Sequence, residues 1–248
     1  MPWNVASPVR RARVAGVVLV AAALVFATHD GFSQTSPAPE LAPFPGGLME
    51  SATTGLVRPR LSASVLSALL PSRGPFVFPA PYNTQGVRLT NASDCGGGDC
   101  VDEVGYSYWR NINNHTASDD MLIILGLNRA RGGPGPSLFR YNKVTDQVTN
   151  LGPVFDPASG KSYGSTEGWY FSGTQPTKIY IDDGPRMLRY DVLTKQSTVV
   201  FDVAPRYGAD KIVWQMHSSD DDKVHSVTLR TLPSYEMLGC LVYHEDTA

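Results

Sequence analysis

Cysteine is scarce in this chain of 248 residues, with three, and charge is scarce too: Asp, Glu, Lys and Arg make up 18% and sum to a net charge of −2. Without an excess of Lys and Arg there is no basic stripe to displace the counterions of a phosphate backbone, which argues against a nucleic-acid partner. Cys95 and Cys100 have no second Cys or His pair beside them, and C-x4-C is not a zinc spacing. A Gly-x-Ser-x-Gly nucleophile elbow is missing. Gly132-Gly133-Pro134-Gly135 is not followed by the Lys-Ser/Thr of a phosphate loop. Asp94, Asp99, Asp102 and Glu103 cluster around the cysteines but lack EF-hand spacing, and read better as a solvated acidic turn than as a calcium site. The apolar run Val14 to Ala27 falls short of the roughly 20 residues that a membrane helix needs, so no stable membrane span is expected. No motif names a cofactor, which leaves any cofactor unknown.

What is present divides the chain into three. Arg10, Arg11 and Arg13, then the uncharged run ending Val25-Phe26-Ala27, are the pattern of a secretory signal over residues 1–27. Residues 28–80 are rich in Pro, Ser and Ala, as in Ser36-Pro37-Ala38-Pro39, and read as a linker or arm. Residues 81–248 carry short apolar runs separated by Gly, Asp, Asn and Pro, the grammar of strands and turns. Export to the periplasm or the exterior agrees with a disulfide between Cys95 and Cys100 around Gly96-Gly97-Gly98-Asp99. Cys240, beside Leu241 and Val242, reads as a buried thiol.

The third part repeats. Leu138-Phe139-Arg140-Tyr141-Asn142-Lys143-Val144-Thr145-Asp146-Gln147-Val148-Thr149 returns as Met187-Leu188-Arg189-Tyr190-Asp191-Val192-Leu193-Thr194-Lys195-Gln196-Ser197-Thr198, and a third copy begins at Leu241-Val242-Tyr243-His244-Glu245-Asp246-Thr247, which keeps the Tyr-x-x-x-Thr frame. Periods of about 40 to 50 residues with strand-like content are those of propeller blades. The spacing predicts an all-β chain: a β-propeller of four-stranded blades, about three of them, the third lacking its fourth strand. Trp109, Trp169 and Trp214 each mark the opening strand of one unit. A closed ring needs at least four blades, so a truncated ring is expected. Two open blade faces would then invite self-association through their edges.

His115-Thr116-Ala117-Ser118-Asp119-Asp120 and His217-Ser218-Ser219-Asp220-Asp221-Asp222 lie 102 residues apart, as do Tyr141 and Tyr243. Both histidines therefore end an innermost strand ahead of a polar turn whose Asp and Ser side chains can bond nearby amides. Two readings stand: both histidines face the central channel, with Phe171 at the matching place of the second unit, or both serve the turn alone. His225 reads as structural. Arg110 and Asn114 beside His115 supply a cation and an amide, and Tyr108 and Trp109 aromatic faces. Trp169 and Trp214 are either ring-seating faces or packing between sheets. Arg129 and Arg131, on a long loop, meet an anionic ligand at the channel mouth or form a surface hairpin.

The turn after each histidine resembles the Ser-Pro-Asp-Gly turn of TolB-type and WD40-like propellers, with Pro and Gly replaced; the resemblance runs from about Tyr106 to the end. It extends to secreted propeller polysaccharide lyases acting on uronate polymers. Such elimination needs a cation or amide on the uronate carboxylate, a base for the C5 proton and aromatic faces for the rings. The resemblance implies Arg110, Asn114, His115 and His217 as catalytic residues and Tyr108, Trp109, Trp169, Trp214, Arg129 and Arg131 as substrate contacts. The expected partner is a polysaccharide or another extracellular ligand. The alternative is a non-catalytic glycan- or protein-binding propeller in cell-surface assembly.

Overall fold

The computed structural model describes residues 4–5, 62–64, 71–78, 83–104, 109–159 and 170–247. In chain order its strands are β1 (Asn4–Val5), β2 (Gly74–Val77), β3 (Gln85–Arg88), β4 (Val101–Glu103), β5 (Asp120–Leu127), β6 (Gly135–Asn142), β7 (Val148–Pro153), β8 (Tyr170–Phe171), β9 (Lys178–Asp183), β10 (Arg186–Asp191), β11 (Ser197–Asp202), β12 (Lys211–Ser218), β13 (Val224–Thr231) and β14 (Met237–His244). They form three four-stranded antiparallel sheets, β4-β5-β6-β7, β8-β9-β10-β11 and β12-β13-β14-β1, with β2-β3 as a separate hairpin. The chain is a partial β-propeller of three blades. Among the described residues no helix is long and apolar enough to cross a membrane.

Strand periodicity builds the stack, because alternate side chains point to opposite faces of a sheet. Leu122 and Ile124 of blade 1 meet Ile179, Ile181, Leu188 and Tyr190 of blade 2 in one buried cluster. The opposite face of blade 2 gives Tyr180 and Met187 to a second cluster with Val213, Val227, Leu229 and Leu241 of blade 3. Blade 2 is thus apolar on both faces, as a sheet covered on both sides must be.

The outer face of blade 1 is also covered, whereas two open faces were expected. Ile123, Leu125, Leu127 and Phe139 pack there against Cys95, Cys100, Leu89 and Val101. Arg73 holds this cover down: its guanidinium lies 5.9 Å from the centre of the Phe139 ring and is ion-paired to Asp94. Asp94 also accepts from Asn150 Nδ2 at 2.8 Å, which ties the cover to β7. The Cys95–Cys100 disulfide closes the loop inside it.

The third blade differs from expectation in two ways. Its fourth position is filled by Asn4 and Val5, paired with Val242 and Leu241; both fall in the stretch read as a secretory signal, so this strand belongs to the unprocessed chain. Cys240 is exposed rather than buried. It lies opposite Thr228 on the face turned away from blade 2, where among the described residues no further sheet packs.

Candidate functional site at the innermost strands

The inner ends of the three blades meet at one place. Arg110 forms a parallel bridge to Tyr170, with the amide of Phe171 donating to the Arg110 carbonyl at 2.9 Å, so blades 1 and 2 touch backbone to backbone there. The Arg110 guanidinium carbon sits 5.1 Å from the centre of the Tyr170 ring. From blade 3, His217 approaches the tyrosine hydroxyl: Tyr170 Oη and His217 Nδ1 are 3.4 Å apart, and the rings stand edge to face at 5.6 Å. Asp220 completes the group by accepting from Arg110 Nη2. A cation, a phenol, an imidazole and a carboxylate, drawn from all three blades, form one polar surface cluster.

Two local features place His217 and Asp220. A bulge interrupts the β12–β13 register between Trp214 and His217, with Gln215 at φ 50°. An extra residue of this kind re-aims the side chains that follow it, and His217 emerges exposed between buried Met216 and Ser218. The turn beyond is held by Asp222, whose buried carboxylate accepts from Ser172 Oγ (2.6 Å), Gly173 N (3.0 Å), Thr174 N (2.8 Å) and Thr174 Oγ1 (2.6 Å). Burial alone would raise the Asp222 pKa, but the hydroxyls of Ser172 and Thr174 and the two amides outweigh it and hold the group below the usual carboxylate range. Gly173 must be glycine for this approach, since a Cβ there would lie 2.3 Å from the Asp220 carbonyl oxygen.

The turn after His217 was expected to bond its own amides. Asp221 and Ser219 do so, Asp221 accepting from Lys223 N and from Ser219 Oγ, and Ser219 Oγ accepting from Val224 N at 3.0 Å. Asp222 reaches blade 2 and Asp220 reaches blade 1. The signal that could have marked Asp220 and Tyr170 is weak, because each gains its role from partners far along the chain, 110 and 47 residues away.

The other candidates lie elsewhere. The His115 ring meets Lys143 Nζ of its own blade at 3.2 Å, so the two histidines keep different company. Asn114 Nδ2 donates to the Gly173 carbonyl at 2.6 Å and supports the blade junction beside the cluster. Trp109 packs, half-buried, against the core between blades 1 and 2. Trp214 lies on the outer face of blade 3 beneath Arg230, whose guanidinium carbon is 4.1 Å from the ring centre. Arg131 donates to the Val101 carbonyl at 2.7 Å and lies 3.7 Å from Asp102. Arg129 folds over Gly135. Tyr108 and Trp169 lie outside the described residues. His225 is fully buried between Ser218 (2.8 Å) and Glu245 (2.7 Å), as a structural histidine would be. Among the described residues no group of His, Cys, Asp and Glu is arranged to hold a metal ion.

A cavity of about 500 Å³ lies between the β2–β3 hairpin and the tip of β6, lined by Phe76, Gln85, Gly86, Tyr141 and Asp146 among others. It occupies the position that the preceding blade takes in the next repeat. There Tyr190 Oη donates to the Val154 carbonyl at 3.0 Å, and Lys195 Nζ to the Pro153 and Val154 carbonyls at 2.9 Å. In blade 1 the corresponding Tyr141 turns to Asp146 instead, at 2.6 Å.

No family model matches the chain, and no curated protein does. Among solved structures it is similar to an oligogalacturonate lyase from Vibrio parahaemolyticus, with 13% identity and a TM-score of 0.40 over 66% of this chain and 39% of that one. It is also similar to the tricorn protease, with 11% identity and a TM-score of 0.28 over 52% of this chain and 12% of that one. The chain thus spans about 39% of the length of the lyase.

Proposed function

We propose that the protein is an exported propeller that recognises an acidic carbohydrate at the inner ends of its blades. The observation that carries this reading is the convergence of Arg110, Tyr170 and His217. A guanidinium binds a carboxylate through paired N–H donors, the tyrosine ring offers a flat face to a sugar ring, and the imidazole adds a polar contact beside both. The disulfide is compatible with the oxidising compartment that export implies.

The same groups suit β-elimination on a uronate. Arg110 would neutralise the carboxylate, so that charge building up at C5 is stabilised. His217 or Tyr170 would take the C5 proton. The electron pair of the C5–H bond then forms the C4=C5 double bond as the C4–O bond breaks, and the departing oxygen takes up a proton.

Calorimetric titration of the full chain with oligogalacturonate tests recognition, and the ultraviolet absorbance of the unsaturated product tests turnover. Binding that Arg110→Ala weakens at least tenfold supports the site. Binding without unsaturated product leaves a recognition module, and failure to bind uronate removes the reading.

A further inference from the structure

We propose that Asp220 is an internal competitor for the ligand at this site: its carboxylate stands in for a ligand carboxylate on Arg110, so that an acidic ligand must displace it. This rests on the reading of the site as a carbohydrate-binding one.

The three adjacent carboxylates of the turn have separate tasks. Asp221 is held by Ser219 and Lys223, and Asp222 is buried among four donors from blade 2. Asp220 alone leaves the turn to meet a cation on another blade, and its side chain is 95% exposed while doing so. Its position is nevertheless fixed. Asp222 latches the turn to Ser172 and Thr174, and the Asp220 carbonyl presses against Gly173. The carboxylate is therefore presented at a set place on the guanidinium, whose carbon lies 5.1 Å from the Tyr170 ring centre.

An ion pair this exposed is weak. Pairs of its kind shift an equilibrium by about 1.5- to 5-fold. An acidic sugar that pairs with Arg110 while its ring lies on Tyr170 replaces Asp220 with an equivalent bond and adds a contact. A neutral sugar has no anion to exchange and leaves the guanidinium engaged. Asp220 thus tempers the affinity for uronates and leaves that for neutral sugars unchanged.

The test is Asp220→Asn in the full chain, titrated calorimetrically with trigalacturonate and with a neutral oligosaccharide of the same length, beside a thermal melt. The expected result is trigalacturonate binding about 2- to 5-fold tighter than wild type, with an unchanged melting temperature. Wild-type binding that the substitution leaves equal or weakens overturns the role of Asp220 and leaves the site reading intact. Equal tightening toward the neutral oligosaccharide overturns it as well. A lowered melting temperature without tighter binding makes the contact a staple between blades and nothing more. Absence of trigalacturonate binding in both proteins overturns the site reading, and this inference with it.

Discussion

The turns at 115–120 and 217–222 occupy the same place in two repeats and do different work. In blade 1 the turn looks inward: His115 meets Lys143, and Asp120 accepts from Asn142 Nδ2 at 2.8 Å, both within the same sheet. In blade 3 the turn looks outward: Asp222, the counterpart of Asp120, takes four donors from blade 2, and Asp220 takes Arg110 of blade 1. The cause is the neighbour. Blade 3 has a sheet packed before it whose turn offers hydroxyls and amides, while blade 1 has the covering arm. Equivalent residues acquire different contacts because a repeat contributes only half of each one.

The sharpest way to break this comparison is to remove the two carboxylates. Asp222→Ala leaves four donors of blade 2 without their acceptor, the buried Ser172 hydroxyl among them, and is expected to cost about 3 kcal/mol of unfolding free energy, while Asp120→Ala costs less than about 1 kcal/mol, both read by denaturant titration. Equal losses would mean that the latch does not distinguish the turns. Because the folded-state pKa of Asp222 is held down, its contribution is present above the ordinary carboxylate range and is lost as the pH falls below it.

A smaller effect contrasts the two ends of the stack. The outer face of blade 1 is covered and stapled, whereas that of blade 3 leaves Met237, Leu238 and Val242 exposed. Replacing Cys95 and Cys100 by alanine should cost about 2 kcal/mol. Cys240→Ser, on the uncovered face, should leave the melting temperature unchanged.

Function should separate the turns next. His217→Ala is expected to weaken uronate binding about tenfold, and His115→Ala less than about twofold, because only His217 stands against Tyr170. A loss of the same size in both would restore the two histidines to one site.

The smallest effect concerns Asp182, the counterexample to Asp222 on the same pair of blades. It is buried, and its Oδ1 has no hydrogen-bond partner among the described residues. Burial, with a lesser push from Asp183, raises its pKa to about 7. Between the ordinary carboxylate range and about pH 7 the folded protein keeps a proton that the unfolded chain has released, so stability falls as pH rises through that window. Asp182→Asn should remove about 1 kcal/mol of the decline between pH 6 and pH 8, followed by urea denaturation at each pH.

Much of the blade structure was legible in the sequence. The strands around Met121–Leu127, Leu138–Asn142, Met187–Asp191 and Ser197–Asp202 carry short apolar runs bounded by turn residues, and Arg-Tyr-x-x-x-Thr set the repeat. The elements that were not legible lack such a pattern. Gly74–Val77 sits in a Pro- and Ser-rich stretch, and Asn4–Val5 is two residues long. Of the site, Arg110 and His217 were visible from local context. Tyr170 and Asp220 were not, because nothing near them in the chain distinguishes them.

Alone, the sequence determined what depends on near neighbours: strands, turns, the repeat and the closure of a five-residue separation by a disulfide. Only the tertiary structure decided which equivalent turn joined the polar cluster between the blades. That choice rests on contacts spanning 47 to 110 residues, and they exist only once blades 1, 2 and 3 have buried their apolar faces against one another.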